Sequence, residues 1–454
     1  MIEPTRTIGA RAAIAISVIA LVVGACGSGN GSPAASAPAA STPAESAGAG
    51  SGSPAASAGG EDLTGQSVTV IGTWGGTEQD AFLAMVKPWQ DRTGATVKYT
   101  GTRDLNTVLT TGVASGVLPD LAGLPGPGQM TEWADSLVDL GGVLDTATYN
   151  SETAAPLVEL GTVNGKLVGV FIKTAVKGLI WYSPKTLDIS SGSTATWDDL
   201  KALATANKDK ADSEWCLGVE SGAASGWPGT DWIEDIVLRQ AGPDVYNSWW
   251  QGKTKWSDPA IKAAFQTFGD VVANSYGGAK TINSTNFANA GDPLFKSPPG
   301  CLFLHQSSFI TGLGDFKTAA AGTDYDFVPF PDIDPAYAGS VEGAGDLFGM
   351  FHDTPAARSL MAYLVTAEAQ DIWVKIGGAL SANKNATSYP DDISKRSAEL
   401  LLNAKTFVFD ASDLMPTAMN NAFWAGIVKY VSNPGDLDAI LADLDKTQAD
   451  AYAQ

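Results

Sequence analysis

Histidine and cysteine are nearly absent. His305 and His352 are the only imidazoles, and Cys26, Cys216 and Cys301 the only thiols, in 454 residues. So few ligands leave no room for a zinc centre built on cysteine and histidine, and no Cys/His nucleophile arrangement stands out. Positive charge is also scarce: 28 Lys and Arg face 49 Asp and Glu, a formal net charge of −21 that argues against nucleic acid or polyphosphate as a partner. Beyond the first thirty residues, no apolar run reaches the length of a membrane span. Nothing reads GxSxG or HExxH. "GAGDLFG" (343–349) sets its third glycine one place too late for a dinucleotide fingerprint, and no Walker lysine with Ser or Thr follows it. Neither a cofactor nor a metal is expected.

What is present begins with an export signal. Arg6 and Arg11 precede the apolar run "AAIAISVIALVV" (12–23), which is too short for a comfortable span, and "GAC" follows at 24–26. Leu21, Val23, Gly24 and Ala25 before Cys26 resemble a bacterial lipobox. Residues 1–25 then form the signal, and Cys26 becomes the lipidated first residue. The alternative is a plain secretory peptide with an incidental cysteine. From Cys26 to about residue 62 the chain is Gly, Ser, Pro and Ala with almost no large apolar side chain, so it cannot bury enough surface to offset its ordering entropy. It reads as a tether holding a folded body off a membrane. In an exported protein the remaining even pair, Cys216 and Cys301, favours a disulfide; two buried thiols are the alternative.

The body of about 390 residues is long enough for two domains, and 44% hydrophobic composition allows real cores. "SVTVIGTW" from Ser67 alternates as a strand. The following helix puts Phe82, Met85, Val86 and Trp89 on one face, with Thr77 and Asp80 as its cap and Gly94 as its stop. "ATVKYTG" is a second strand, and "DLNTVLTTGVASG" a helix with Leu105, Val108, Leu109 and Val113 on one side. "PDLAGLPG" is a third strand, completing β-α-β-α-β, the opening of a parallel sheet. Ligands of open α/β sheets sit at the carboxyl ends of the strands. Those ends read "WGGTE" (74–78), "TGTRD" (100–104) and "GLPGPG" (123–128), offering Trp74, Gly75, Glu78, Arg103 and Asp104. "VNGKLVGVFIKTAVKGLIWYS" (163–183) is two extended runs about a basic joint at Lys173 to Lys177, where a hinge could lie. "SDPAIKAAFQTFGDVV" is a helix capped by Asp258, with Pro259 in its first turn and Ile261, Phe265, Phe268 and Val272 inward. Further helices follow Pro355, Thr366 and Gly435.

The order of these signals, together with "VNGKLVGV", "WCLGVESGAASGWPGTDWIEDIVLRQAGPDVY", "PPGCLFLHQSSF", "GDLFGMF", "AQDIWVKIGGALSANK" and "DASDLMPTAMNNAFWAG", resembles family 1 of the extracellular solute-binding proteins of ABC importers over about residues 66–445. The long central stretch is most similar to the α-glucoside branch. The resemblance implies an α/β, bilobal, periplasmic-binding-protein-like fold with several chain crossovers and a sugar in the interlobe cleft. Lobe 1 then takes 63–172 and 346–380, and lobe 2 takes 173–345 and 381–454. It also implies ABC permease subunits as partners, a membrane link by the lipid anchor alone, and a monomer.

Sugars present polar edges and apolar faces, so a site for them needs rigid aromatics and fixed hydrogen-bonding groups. Under this resemblance the loop 215–232 supplies Trp227 and Trp232 with Ser221 and Asp231; of its tryptophans Trp227, mid-loop, is favoured for the cleft, and Trp215 and Trp232 lean to the core. A Cys216–Cys301 bridge would bring His305, Gln306 and Phe309 close. Lys173 joins from the joint, Asp346 from a crossover strand, and Trp424 in "AFWAG" from the place of a sugar-stacking tryptophan in maltose binders. Two rival readings are an exported glycoside hydrolase and a surface adhesin. Asp231 and Asp235 share a helical face, but no facing carboxyl partner is apparent for hydrolysis, and helix faces crowded with acid are usually solvated. An adhesin explains tether and acidity but not the family-like stretch.

Overall fold

The computed structural model describes residues 61–189 and 192–453; the export signal, Cys26 and most of the tether lie outside the described residues. Strand β1 (Ser67–Gly72) pairs in parallel with β2 (Thr96–Gly101) and β3 (Leu121–Leu124). Parallel neighbours need a crossover; helices α1 (Gly76–Thr93) and α2 (Leu105–Ser115) provide the two links. The β-α-β-α-β opening is therefore as the sequence reads. On α1, Phe82, Met85, Val86 and Trp89 are buried, and Gly94 ends the helix at φ 72° with its N–H on the Gln90 carbonyl.

Two details differ. The first turn of α1 has no side-chain cap, because the Thr77 hydroxyl donates instead to the Gly312 carbonyl at 2.9 Å. On α2 the buried stripe is Leu105, Leu109 and Gly112, which leaves Val108 42% exposed, just off the i, i+4, i+7 row.

The chain then passes between two sheets. β4 (Val170–Val176), buried throughout, continues through Lys177 and Gly178 into β5 (Leu179–Tyr182). The second sheet has the order β8-β5-β7-β6, with β6 (Trp215–Cys216), β7 (Phe303–Gln306) and β8 (Asp326–Pro329). Between β6 and β7 lie α3 (Trp227–Gln240) and α4 (Pro259–Ala273). Asp258 caps α4 through the Ala260 N–H, and Ile261, Phe265, Phe268 and Val272 face inward as expected. The 11-residue β9 (Ser340–Met350) returns to the first sheet. Its end pairs antiparallel with β3, its start pairs parallel with β10 (Thr406–Phe409), and it runs antiparallel to β4 with an irregularity between Asp346 and Leu347. The expected joint is therefore narrower than read: Lys173 lies inside β4, and the turn is Lys177–Gly178.

The first sheet packs Trp74, Phe82, Trp89, Phe348 and Trp373 into one core with α1, α5 (Pro355–Leu364) and α6 (Ala367–Ile376). The second holds separate clusters around Trp215, Trp232 and Phe268 and around Trp181 and Phe316. Helix α7 (Thr417–Ser432) packs Phe423 and Ile427 into the former. Cys216 and Cys301 are disulfide-bonded with Cα atoms 5.4 Å apart. No helix among the described residues is long and apolar enough to cross a membrane.

Candidate functional site

A cavity of about 400 Å³ opens between the two sheets, lined by the ends of β1 and β2, the starts of α2 and α3, the crossover strands β4 and β9, and the start of α7. Its polar framework is two lysines on the β4 chain. Lys173 Nζ lies 2.8 Å from Glu78 and 3.4 Å from Asp346, and Lys177 Nζ lies 2.8 Å from both Asp231 and Asp410. Each ammonium also faces aromatic rings, Lys173 at 4.9 Å from Trp373 and 5.4 Å from Trp74, and Lys177 at 5.2 Å from Trp227. Burial works against both charges, yet the paired carboxylates outweigh it and hold both lysines above the ordinary ammonium value.

The carboxylates respond unequally. Burial pushes Asp346 up against the pull of Lys173, and pushes Asp231 up to about 7 even with Lys177 beside it. Asp413, also on the cavity wall, is raised well above its usual range by burial and by Asp410. Asp410 goes the other way: Lys177 and its hydrogen bonds overcome burial and hold it low.

Aromatic rings line the cavity beside these charges. Trp227 meets Phe287 edge-on at 5.0 Å and Phe309 at 6.0 Å, and the Arg103 guanidinium lies 4.8 Å over Phe287. Gly226 explains why a glycine-rich loop carries this tryptophan. At φ 114° it would put a Cβ 2.1 Å from the Trp424 carbonyl oxygen, so only glycine lets the Trp227 turn lie against α7. Amides complete the rim, with Gln129 donating to Asn106, which donates to Asn421 at 3.2 Å.

Residues 75–371 match the family model of bacterial extracellular solute-binding proteins. The chain belongs to that family. This solute-binding protein is 36% identical over 376 residues to the osmoprotective compounds-binding protein of Synechocystis sp., across 81% of its own length and 89% of the relative's. It is 33% identical over 395 residues to the alpha-glucosides-binding periplasmic protein of Rhizobium meliloti, across 84% and 86% of the two chains. Among solved structures, a chitin oligosaccharide binding protein shares its fold with a TM-score of 0.73 at 19% identity, covering 86% of this chain and 99% of that one. The fold is bilobal, as the sequence resemblance implied, and the cavity occupies the cleft.

Of the residues singled out from sequence, Trp74, Glu78, Arg103, Asp104, Lys173, Trp227, Asp231, Asp346 and Trp424 line the cavity of the solute-binding protein. Four are elsewhere. Gly75 is exposed at the N-cap of α1, outside the lining. Ser221 is 1% exposed and turned inward, its N–H on the Ser225 hydroxyl. His305 lies in the interior of the second lobe, with its ring 4.4 Å from that of Trp232 and Nε2 2.7 Å from Asp235; burial lowers its pKa. Gln306 accepts from Trp181 through its carbonyl, and its side chain accepts its neighbour's N–H. The disulfide does draw this segment in, but only Phe309 reaches the wall. Trp74 touches the cavity yet is 3% exposed, packed edge-on to Trp373 at 4.8 Å and against Phe348, so it serves the core first. Nor is the acidic face of α3 solvated: Asp231, Glu234, Asp235 and Arg239 are all buried, because α3 is the central helix of its lobe.

Sequence reasoning missed Asn106, Gln129, Phe287, Asp410, Asp413 and Asn421. Asp410 left a signal: it caps the short helix Ala411–Leu414 by accepting the Asp413 N–H, a local Asp-x-x-Asp pattern. The amides left none.

Proposed function

We propose that this protein captures a small neutral glycoside, an α-glucoside of one or two sugar units, in the cleft and delivers it to an ABC permease. The observation that carries the reading is the division of the cavity wall: Trp227, Phe287, Phe309 and Trp424 offer apolar faces, while Glu78 and Asp346 are carboxylates fixed by Lys173, suited to accept from hydroxyls. About 400 Å³ is at the small end of the roughly 300–1,000 Å³ usual for ligand cavities, which favours short sugars over long chains. The names of the two relatives at 33% and 36% identity agree with a glucoside or similar osmolyte.

The division into 63–172 with 346–380 and 173–345 with 381–454 stays as the resemblance implies it, with the crossover near the paired Lys173 and Asp346 in its support. Contacts in both lobes make ligand favour the closed arrangement. Lipidation at Cys26 holds the protein on the outer face of the cytoplasmic membrane, where it acts as a monomer. Calorimetric titration with maltose, trehalose, sucrose and longer maltooligosaccharides tests the reading. Binding of a short glucoside, recovered intact, supports it; no binding to any of them, or recovery of cleaved sugar, overturns it.

A further inference from the structure

The interior beneath Lys177 holds more carboxyl groups than it has cations to match. Asp231, Glu234 and Asp235 stand on α3, Glu342 on β9, and Asp410 at the exit of β10, all buried, with Asp413 beside them. Asp235 is matched by Arg239 and His305. Asp231 and Asp410 share Lys177. Glu234 and Glu342 are left over: Glu342 has no donor on either oxygen among the described residues, and Glu234 accepts the Ala411 N–H at 2.7 Å through Oε2 while its Oε1 has none.

One oxygen each of Asp231, Glu234 and Asp410 lies within 4.8 Å of the others. Carboxylates that close in a dry interior do not all ionise unless a cation stands between them. The ammonium available is already held by the other two. A proton on Glu234 resolves the crowding, since a carboxylic acid O–H can donate to Asp410, give the orphan oxygen a partner, and leave Asp410 charged for Lys177. We propose that Glu234 is a protonated positioning residue whose O–H holds Asp410, and through it Lys177 and Asp231, at the floor of the cleft.

The electrostatics agree with this geometry. Burial, Asp410 and Asp231 raise Glu234 well above the carboxylate range, with Lys177 opposing, while Asp410, against its burial, is held low first by Lys177 and then by Glu234. The other elements packed nearby bring no further counter-charge: Glu342 is itself raised by burial and by the same acids, Asp413 likewise, and Tyr246 is a buried phenol that donates to the Phe409 carbonyl. The protonation rests on this packing alone; its effect on binding rests on the sugar-capture reading.

Two readouts keep those apart. Infrared difference spectra of the full chain at neutral pH should show a protonated-carboxyl carbonyl band, shifted in D₂O, that Glu234→Gln lacks. Glu234→Ala, which loses both donor and acceptor, should weaken binding of the sugar found by titration by about tenfold or more. Glu234→Gln, which keeps a neutral donor, should rescue most of that loss and should not share the parent's fall in affinity as alkali removes the proton. An unchanged acid band in Glu234→Gln overturns the proposal, as does a glutamine variant as weak as alanine. A rise in melting temperature with calcium or manganese that Glu234→Gln abolishes also overturns it, because a metal ion would then fill the proton's place. If no sugar binds, the infrared result still stands or falls independently.

Discussion

Lys173 and Lys177 stand four residues apart on one run of chain and are built alike, each ammonium between two carboxylates and over the face of a tryptophan. Their surroundings differ. The partners of Lys173 keep some access to the cavity, with Glu78 12% and Asp346 16% exposed; those of Lys177 are nearly sealed, Asp231 at 3% and Asp410 at 2%. The tryptophans are reversed: Trp74 beside Lys173 is core, while Trp227 beside Lys177 is only half-buried. The same arrangement thus presents charge to a ligand on one side and aromatic surface on the other. Which group of each set faces the cleft decides its role.

The sharpest way to test that difference is to remove each cation. Lys177→Met strands two buried carboxylates and should cost about 3–5 kcal/mol of stability, read as a large fall in denaturant midpoint. Lys173→Met, whose partners can still reach water, should cost distinctly less stability while weakening ligand binding more. Equal stability losses would break the distinction. The tryptophans give the next largest contrast. Trp74→Ala should lose about 3 kcal/mol or more of stability as a core cavity opens. Trp227→Ala should cost about 2 kcal/mol of binding, roughly thirtyfold in affinity, with less effect on folding. If Trp227→Ala melts as early as Trp74→Ala, Trp227 is a core residue too.

A smaller effect is expected from pH. Asp231 titrates at about 7 in the folded protein, above the unfolded value of about 3.9. As pH rises the unfolded chain releases this proton first, so the contribution to stability falls between about pH 4 and about pH 7 and is constant above. The raised values of Glu234, Glu342 and Asp413 carry the decline further into alkali. Melting temperature should therefore decrease from mildly acidic to alkaline pH, and Asp231→Asn should flatten the acidic part of that slope. A melting temperature that rises over the same interval would contradict the sealed environment assigned to the Lys177 set.

Much of this fold is legible in local patterns. The period of Phe82, Met85, Val86 and Trp89, the cap at Asp258 and the stop at Gly94 are properties of neighbouring residues, and the structure agrees with each. Where a side chain's partner lies far along the chain, the local pattern misleads. Thr77 gives up its capping role for a carbonyl 235 residues away. The acids of α3 read as a solvated face because Asp410, which meets Lys177 in the interior, lies 176 residues beyond Glu234. His305 looked like a ligand group, since nothing nearby announces that Asp235 will meet it in the interior. Of the nine lining residues anticipated from sequence, all but Trp424, midway along α7, stand near strand ends, helix starts or crossovers, where topology fixes the direction of approach; the missed amides depend on the final juxtaposition of α2 and α7.

The Cys216–Cys301 bond ties β6 of the second sheet to the residues that lead into β7, and spans 85 residues. Under mechanical tension this loop cannot pay out: at about 3.4 Å per extended residue, close to 290 Å of contour stays hidden until the bond is reduced. The first lobe has no such tie among the described residues. A protein pulled by its two ends should therefore show a shortened extension for the second lobe alone, and a reductant should restore that length without altering the extension of the first.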